Sequence, residues 1–384
     1  MLVVHNRYRS SLPSGENLAV DVEIEGLRAS DSDIEVDNFF RDSDEVDSMD
    51  LASRFGAALA PLRGRPGMFA SRLDSFRPDV VHLHNPYPLI SPRVIKQSVD
   101  RGIRVVATIH NFRLRCINGL LFRDGAVCTE CEDRRVPLPG IVHACYRDSR
   151  LQSAMMTTAL SAHRPLWDLV ARYIAVSEFV AKRMSSWGIQ DDRITIKSNP
   201  VRDPGPRTEP GHGFFFAGRL SEEKGIRLLL DAWAISGLDG SVRLVIAGDG
   251  PLRALVEKRV ATSKSLQFVG QITPSQTAEW RRQTAVGVVS SVCFESHSAV
   301  GESFAHGRPV VTTNLGALSA AVDSTVGWIS DPVVPQVAMC LRAANEPGAV
   351  AARSLAARER YEQVYRSRPL TDQLIEVYRQ VMRS

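Results

Sequence analysis

The sequence contains no apolar run of the roughly 18–20 residues that a membrane-spanning helix needs. Its first ten residues, MLVVHNRYRS, place a short apolar run before the arginines, which is the wrong order for a secretory signal. The chain also lacks a strong charge of either sign, since its net charge is only +4 over 384 residues. A protein that coats nucleic acid is therefore excluded, and we expect a cytoplasmic protein without a nucleic-acid partner.

Cysteine is scarce and unevenly placed. Two of the six cysteines stand alone, and the other four crowd one segment: Cys116, Cys128, Cys131 and Cys145. In a reducing cytoplasm such a cluster suggests a metal site before it suggests disulfides. Four thiolates could hold a structural zinc ion, and the alternative is four thiols that are free or buried in an irregular loop. Both alternatives stay open at this point.

A chain of 384 residues is too long for one ordinary core, so two domains are expected. Short apolar runs such as LVVH, DVVHLH and RVVATIH alternate with amphipathic segments, and this alternation is typical of α/β folds with parallel sheets. The stretch NPVRDPGPRTEPGHG is rich in proline and glycine, and it indicates a linker. The predicted division is an N-terminal domain at 1–198 with a cysteine-bearing insert at about 113–147, a linker at 199–212, a C-terminal domain at 213–365, and a final helix at 366–384 that packs back toward the N-terminal domain.

The first informative loop is FFFAGRLSEEKG, in which Arg219 and Lys224 flank a turn that opens a helix. Both cations would emerge at the carboxyl end of a strand, beside helix amides that also attract anions. Arginine can grip two phosphate oxygens at once, while lysine supplies a compact charge. The alternative is an ordinary surface turn in which Glu222 or Glu223 pairs with these cations.

Two further loops follow strands of the same half. In LVIAGDGPLRALVE, Gly250 allows a tight turn close to a ligand. In GVVSSVCFESHSAVGESFAHGRPVVTT, Glu302 is predicted to begin a helix that ends at Gly307, and Glu295 precedes it in a small, polar turn. A carboxylate accepts hydrogen bonds and can take both hydroxyls of a ribose. The alternatives are a helix-terminal acid for Glu302 and a solvated loop acid for Glu295.

Taken in order, GRLSEEKG, AGDGP, FVG and FESHSAVGESFAHGRPVV resemble the donor-binding half of the retaining glycosyltransferases of family 4. HNRYRSSLPSGEN, DVVHLHNP, ATIHNFRL and AVSEFV resemble the acceptor half of the same family, so the resemblance covers nearly the whole chain. It implies the GT-B fold, in which two doubly wound Rossmann-like domains face each other across a cleft. It also implies a nucleotide diphosphate sugar as donor and a sugar, lipid-linked or small-molecule acceptor. The cysteine-bearing loop resembles one in some bacterial members.

The resemblance further implies roles for individual residues. Arg219 and Lys224 would hold the diphosphate, and Glu302 would hold the ribose hydroxyls. The base would lie near Val269 and Gly270. The resemblance also implies that Glu295 and the backbone of residues 296–301, including Ser298, Ala299 and Val300, face the sugar. Gly250 would lie at the donor, and His110 would reach the sugar across the cleft. At Gly15 the backbone would approach the phosphate and the acceptor. Six residues separate Glu295 from Glu302, one fewer than the family usually has.

Retention at the anomeric carbon is implied by the resemblance alone. No Asp-x-Asp motif of the sequence directly follows one of the predicted strands, so we expect catalysis without a required metal ion, with zinc in a structural role only. A sugar-nucleotide epimerase or a phosphorylase of the same architecture would need catalytic acids or a pyridoxal-bearing lysine, for which no signature is present. A non-catalytic nucleotide-sugar-binding protein is the third alternative.

Basic residues in the N-terminal half favour contact with an anionic membrane surface, such as the inner face of the plasma membrane. They are Arg113, Arg115, Arg134, Arg135, Arg147 and Arg150. A solvated face and a binding site for a phosphorylated acceptor are the alternatives.

Overall fold

The computed structural model describes residues 1–10, 14–30, 32–46, 66–206, 208–294 and 298–383. The chain divides into two compact units. The first unit comprises Met1–Arg123, Cys128–Ser198 and Arg368–Ser384, and the second comprises Asn199–Ser367 with the short segment Asp124–Val127. Both ends of the chain therefore belong to the first unit. In the described parts of the chain, every helix is too short or too polar for a bilayer crossing.

A parallel sheet forms the centre of the first unit. Its six strands are β1 (Leu2–Arg7), β2 (Asp37–Asp42), β3 (Val80–Leu83), β4 (Arg104–Ile109), β7 (Arg172–Ala175) and β8 (Ile194–Ile196). They are arranged in the order β2-β1-β3-β4-β7-β8. The order reverses between β1 and β3, and the loops that follow these two strands therefore border the crevice where α/β sheets bind ligands.

Helices cover the sheet of the first unit. They are α1 (Gly15–Arg28), α2 (Pro66–Phe76), α3 (Arg93–Val99), α4 (Leu138–Val142), α5 (Arg150–Trp167), α6 (Glu178–Ser186) and the C-terminal α14 (Ser367–Arg383). The cysteine-bearing segment adds a two-stranded pair, β5 (Phe122–Arg123) and β6 (Ala126–Val127). Leu374, Tyr378 and Val381 of α14 are buried in one cluster with Val3 and Val106 of the sheet. The last helix of the chain therefore completes the first core.

The second unit has its own six-stranded parallel sheet. Its strands are β9 (Phe214–Ala217), β10 (Leu244–Ala247), β11 (Leu266–Gly270), β12 (Val286–Val289), β13 (Val310–Thr313) and β14 (Gly327–Ser330). The order is β11-β10-β9-β12-β13-β14, as in a dinucleotide-binding Rossmann sheet. Here the order reverses between β9 and β12. The loop that carries Arg219 and Lys224 follows β9, and the segment after β12 leads to the helix that carries Glu302.

The helices of the second unit are α7 (Ile226–Ser236), α8 (Arg253–Val260), α9 (Pro274–Gln283), α10 (Ser298–Ala305), α11 (Leu318–Ala321), α12 (Val334–Ala344) and α13 (Ala351–Val364). The centre of the core is Trp233 of α7, which is 1% exposed and meets the ring of Phe214 edge-to-face at 5.6 Å. Such aromatic pairs add stability beyond the area that they bury.

One predicted boundary is wrong. Glu302 does not begin its helix, because α10 starts at Ser298 and Glu302 is its fifth residue. Val300 and Phe304 lie four positions apart on one helix face and are both fully buried. Burial of Val300 therefore favours a helix that already begins at Ser298, although the small residues of this segment suggested a loop.

Candidate functional site

Lys224 is held at the carboxyl end of β12 by its glycine neighbour. Gly225 has a left-handed backbone with φ of 65°, and a Cβ there would lie 1.8 Å from the carbonyl oxygen of Ser290. The hydroxyl of Ser290 donates to the carbonyl of Lys224 at 3.1 Å. The amide of Val292 donates to the carbonyl of Glu223 at 2.9 Å. The loop after β9 is therefore fastened to the loop after β12.

Replacing Gly225 with alanine is expected to destabilise the second unit, because the new methyl group meets backbone rather than a flexible side chain. Gly237, at the other end of α7, offers a matched control: its φ is 74°, and no atom lies within 4 Å of an added Cβ. We expect Gly237→Ala to cost about 1–2 kcal/mol from the left-handed backbone alone. In urea unfolding, Gly225→Ala should lower the free energy of unfolding clearly more than Gly237→Ala does. Equal losses would contradict the close contact between the added Cβ and the carbonyl of Ser290.

Several charged groups share the neighbourhood of the Lys224 amine. Burial lowers the pKa of Lys224, and the nearby Cys293 and Glu223 oppose this shift. Arg219 lowers the same pKa further, while Glu302 raises it. The charges of Arg219 and Glu302 therefore both affect the protonation of the Lys224 amine.

Arg219 is 45% exposed, and its Nη1 lies 3.9 Å from Oε1 of Glu223. This distance is at the outer limit of an ion pair and contributes little at an exposed site. The tighter pair in this turn joins Glu222 to Arg227 at 2.7 Å. Of the two acids that the surface-turn alternative named, Glu223 lies at this distance from Arg219, and Glu222 pairs with Arg227 instead.

Glu302 has a partner that the sequence did not reveal. Arg281 of α9 donates to the carboxylate of Glu302 and, at 2.8 Å, to the hydroxyl of Ser303. The Arg281 side chain is only 7% exposed, and its guanidinium lies 5.7 Å from the centre of the Phe215 ring. The Glu302 side chain is 26% exposed. A buried arginine therefore orients a carboxylate whose remaining surface is open to a ligand.

The loops after β10 and β11 lie at the same edge of the sheet. Gly250 has φ of 155°, and a Cβ there would lie 2.5 Å from the carbonyl oxygen of Leu220. The amide of Leu220 donates to the carbonyl of Asp249 at 2.9 Å. The amide of Gly248 donates to the carbonyl of Gly270 at 2.8 Å. The predicted donor residue Gly250 therefore packs closely against the loop of Arg219, and Gly270 is hydrogen-bonded to the loop after β10. Val269, beside Gly270, is half-buried against the sheet.

Ser298, Ala299 and Val300 form the first turn of α10. The amides of a first helical turn have no acceptor within the helix, so they can bind an anion. The hydroxyl of Ser298 accepts a hydrogen bond from the side chain of Asn199 at 3.2 Å. Glu295, which the sequence analysis placed at the sugar, lies outside the described residues.

In the first unit, Gly15 begins the helix that follows β1, and His110 directly follows β4. Gly15 is the first residue of α1, is exposed, and has no atom within 4 Å of an added Cβ. The hydroxyl of the preceding Ser14 caps the helix by accepting from the amide of Asn17 at 3.3 Å. Gly15 therefore leaves open space at the start of the helix. His110 directly follows β4 and contacts His84, which directly follows β3.

A buried polar cluster surrounds His84. Nε2 of His84 lies 3.3 Å from Oε1 of Glu23, whose other oxygen accepts from the amine of Lys197 at 2.8 Å. Glu23, His82 and His84 together offer three ligand atoms within 4.8 Å of one another. The ion pair with Lys197 offsets the negative charge of Glu23 within this cluster.

The histidines of this cluster make the stability of the fold depend on pH. Burial lowers the pKa of His5 from 6.5 to about 3, with a smaller contribution from His84. Between pH 6.5 and about pH 3, the unfolded chain binds a proton at His5 that the folded chain does not bind. The free energy of unfolding therefore falls as the pH drops below 6.5. Such a histidine contributes a slope of about 1.4 kcal/mol per pH unit.

We expect His5→Gln to flatten the pH dependence of urea unfolding between about pH 6 and about pH 4. The glutamine amide can replace the contact that Nε2 of His5 makes with Asn17 at 2.9 Å. The exposed His212 serves as the matched control, and His212→Gln should leave the slope of the wild type. Equal slopes for wild type and His5→Gln would contradict the assignment.

The four clustered cysteines all lie in the described parts of the chain, and none of them forms a disulfide. Burial raises the pKa of the Cys131 thiol to about 11, and the other three cysteines raise it further, so the four lie in one neighbourhood. Burial raises the pKa of the Cys116 thiol, and nearby backbone amides oppose this shift. Among the described residues, however, no three cysteine sulfurs lie within 4.8 Å of one another. Zinc binding would require the cysteine sulfurs to move closer to one another.

Zinc at Cys116, Cys128, Cys131 and Cys145 stays a prediction. Elemental analysis of the dialysed full-length chain should give about one equivalent of zinc, since four thiolates complete a structural site. The double variant Cys128→Ser, Cys131→Ser should lose it, and the matched variant Cys340→Ser, outside the cluster, should keep it. Wild-type protein with only a small fraction of an equivalent would contradict the prediction.

Two family profiles match the chain. The profile described as Glycosyltransferase Family 4 matches residues 52–203, and the profile described as Glycosyl transferases group 1 matches residues 211–346. A similar curated protein is the GDP-mannose-dependent alpha-(1-6)-phosphatidylinositol dimannoside mannosyltransferase of Mycobacterium tuberculosis, which is 33% identical over 136 residues. This stretch covers 33% of each chain, so the match spans about a third of the relative.

Solved structures resemble the chain over nearly its whole length. Sucrose-phosphate synthase from Thermosynechococcus elongatus has a TM-score of 0.69 at 17% identity, with 99% of this chain and 98% of that chain covered. Anabaena Alr3699/HepE in complex with UDP-glucose has a TM-score of 0.65 at 14% identity, with 99% of this chain and 100% of that chain covered. At these identities the likeness shows a shared fold.

Proposed function

We propose that this chain, which belongs to the family 4 and group 1 glycosyltransferases of GT-B fold, transfers a sugar from a nucleotide diphosphate sugar to an acceptor hydroxyl. The observation that carries the proposal is that Arg219, Lys224 and Glu302 lie on the segments after β9 and β12, at the switch point of the second sheet, where the charges of Arg219 and Glu302 act on the Lys224 amine. A solved neighbour of the same fold, HepE, holds UDP-glucose. Two cations and a carboxylate on these segments support a site for a nucleotide diphosphate in this chain.

The donor would lie along the carboxyl edge of the second sheet. The carboxylate of Glu302, oriented by Arg281, would accept from both ribose hydroxyls. Lys224, Arg219 and the first amides of α10 would surround the diphosphate. The base would lie at the end of β11, where Val269 and Gly270 are half-buried.

Transfer would break the bond between the anomeric carbon and a diphosphate oxygen. The acceptor oxygen would attack from the same face of the sugar and retain its configuration, and the proton of the acceptor would pass to the departing diphosphate. Negative charge grows on that diphosphate in the transition state, so Arg219 and Lys224 would stabilise the transition state more than the bound donor. The sequence resemblance implies this stereochemistry, and analysis of the product anomer would test it.

A thermal-shift screen of UDP, GDP, ADP and their sugars tests the proposal on the full-length chain. A bound nucleotide raises the melting temperature by mass action, with a stabilisation of about 2.7 kcal/mol at 100 times its Kd. We expect at least one nucleotide to stabilise the wild type, and its sugar form to release nucleotide diphosphate on incubation. If no nucleotide shifts the melting temperature at millimolar concentration, the proposed function is wrong.

We also propose that the acceptor is presented at a membrane surface. Leu138, Val142 and Leu151, in and beside α4 and α5, are 55%, 61% and 74% exposed. Nearby exposed arginines are Arg134, Arg135, Arg147 and Arg150. Three exposed acids in this segment, Glu130, Asp133 and Asp148, offset most of their charge. The apolar side chains would therefore supply most of the binding.

Sedimentation with phosphatidylcholine vesicles, with and without phosphatidylglycerol, tests the membrane proposal. Val142→Glu combined with Leu151→Glu should abolish binding, because two charges would enter the headgroup boundary. Leu355→Glu, at a residue that is 58% exposed in the second unit, is the matched control and should bind as the wild type does. No sedimentation of the wild type with either vesicle would refute this proposal.

A further inference from the structure

The last turn of α9 is held by groups that follow the helix or lie elsewhere in the second unit. The last four carbonyls of an α-helix have no partner within it. At the end of α9, the carbonyl of Trp280 accepts from the amide of Thr284 at 3.0 Å. The carbonyl of Gln283 accepts from the amide of His212, also at 3.0 Å. The two carbonyls between these positions need donors from another part of the chain.

Arg308, which is only 1% exposed, supplies these donors. Its Nε donates to the carbonyl of Arg281 at 2.9 Å, and its Nη2 donates to that of Arg282 at 3.1 Å. On the other side, Nη1 donates to the carbonyl of Thr208 at 2.9 Å, and Nη2 donates to the hydroxyl of Thr208 at 2.8 Å and to the carbonyl of Glu209 at 3.1 Å. A cation is favoured at the carboxyl end of a helix. Arg308 therefore fastens the end of α9 to the segment that precedes β9.

The contact between α9 and the segment of Arg308 is reciprocal. Nη2 of Arg281 donates to Oε2 of Glu302, and Nη1 donates to the hydroxyl of Ser303 at 2.8 Å. Arg281 therefore receives a hydrogen bond from Arg308 at its carbonyl and gives hydrogen bonds to α10 through its side chain. The amide of Arg308 in turn donates to the carbonyl of Ser303 at 3.0 Å. Arg308, Arg281 and Ser303 thus form a closed loop of contacts that includes the carboxylate of Glu302.

We propose that Arg308 is a positioning residue for the ribose site: it fixes the backbone of α9 at Arg281, so that the Arg281 guanidinium orients the carboxylate of Glu302. The inference rests on the proposed glycosyltransferase function for the identity of the ligand, a ribose diol. A group that binds a ligand must be held to within about 0.5 Å of its productive position. Because Arg281 reaches Glu302 through a long side chain, the carboxylate is held in place only if the backbone of Arg281 is held as well.

Two variants of Arg308 remove different parts of these contacts. Arg308→Met keeps the apolar stem of the side chain and removes every donor. In Arg308→Gln the amide nitrogen occupies the position of Nε, so the donor to the carbonyl of Arg281 survives, while those to Thr208 and Glu209 are lost. Both variants should lower the free energy of unfolding, since buried carbonyls lose their donor. Only Arg308→Met should release Arg281.

Nitrogen NMR of the full-length chain, with its arginines labelled with ¹⁵N, follows the Arg281 guanidinium without any ligand. The signals of Arg281 are those that vanish in Arg281→Lys. A guanidinium held by Glu302 and Ser303 rotates slowly, so its two terminal nitrogens give separate signals. We expect separate signals in the wild type and in Arg308→Gln, and one averaged signal in Arg308→Met. An averaged signal in the wild type, or separate signals in a folded Arg308→Met, would overturn the proposal.

Calorimetric titrations with nucleotides measure the effect on the ribose. The probes are UDP, GDP and ADP, each compared with its 2′,3′-dideoxy form, which lacks both ribose hydroxyls. In the wild type and in Arg308→Gln, loss of these hydroxyls should weaken binding by about tenfold or more, because hydrogen bonds to a charged group are lost. In Arg308→Met this ratio should fall toward one. Gly237→Ala, which changes the same unit at a position where an added Cβ meets no atom within 4 Å, is the matched control and should keep the ratio of the wild type.

The outcomes separate this inference from the proposed function. If no nucleotide raises the melting temperature of the wild type, the proposed function fails, while the NMR signals still decide whether Arg308 orders Arg281. If a nucleotide binds but a folded Arg308→Met distinguishes its dideoxy form as well as the wild type does, or if the wild type does not distinguish it, the role at the ribose is wrong. Should Arg308→Met not fold, Arg308→Gln decides. An averaged signal or a lost ratio in a folded Arg308→Gln would show that the hydrogen bond to the Arg281 carbonyl does not orient Glu302.

Discussion

Lys224→Ala is expected to lower kcat/KM for donor turnover by about 10²–10³, the typical effect of removing one group that stabilises charge developing in the transition state. Lys224 is half-buried, so its charge is less screened by water than that of an exposed lysine, and the charges of Arg219 and Glu302 act on its amine. We expect most of the loss in kcat, because the charge of the leaving diphosphate is greatest in the transition state. Release of nucleotide diphosphate from the donor measures the effect.

The matched control is Lys258→Ala, since Lys258 is an exposed lysine on α8 of the same unit. It should leave both kcat and the thermal shift by nucleotides unchanged. The account fails if Lys224→Ala folds normally and turns over the donor at nearly the rate of the wild type.

Glu302→Gln is expected to weaken nucleotide binding by about tenfold or more, because hydrogen bonds to a charged group are worth roughly 1.5–3 kcal/mol. The glutamine keeps the shape of the side chain and one acceptor for Arg281, so the fold should survive. Glu302→Ala should weaken binding and also destabilise the second unit, since Arg281 is 7% exposed and would lose its carboxylate partner. Calorimetric titration and urea unfolding measure the two effects separately.

Glu279→Gln, at an exposed acid of α9, is the matched control for both measurements. The 2′,3′-dideoxy form of the nucleotide, whose sugar ring lacks both of these hydroxyls, provides a second check. The wild type should bind it more weakly than the parent nucleotide, and Glu302→Gln should not distinguish the two. Equal discrimination by both proteins would show that the ribose contacts another group.

Much of the fold could be predicted from the sequence because parallel strands buried on both faces appear as continuous apolar runs. The runs at Leu2, Asp79 and Phe214 all contain strands of the two sheets. The strand β2 was missed, since DNFFRD carries charges at both ends and lies at the edge of its sheet, where burial is incomplete. The start of α10 was also misplaced, because small residues gave no sign that Val300 would be buried.

The candidate site was only partly readable for a different reason. Arg219 and Lys224 lie in one short loop and could be recognised as a pair. Arg281 could not, since it meets Glu302 only after α9 and α10 have packed. Glu23 and Lys197 are 174 positions apart, and an acid within an amphipathic helix gives no indication that it is buried beside a distant lysine. Contacts between remote segments depend on the topology, which a local pattern does not contain.

A crystal structure of the full-length chain with the nucleotide diphosphate that stabilises it best is the most direct test of the central claim. The account predicts diphosphate oxygens within about 3 Å of the Lys224 amine and within reach of Arg219, with both ribose hydroxyls on the carboxylate of Glu302. A nucleotide bound with its diphosphate away from Lys224, or with its ribose turned away from Glu302, would contradict it.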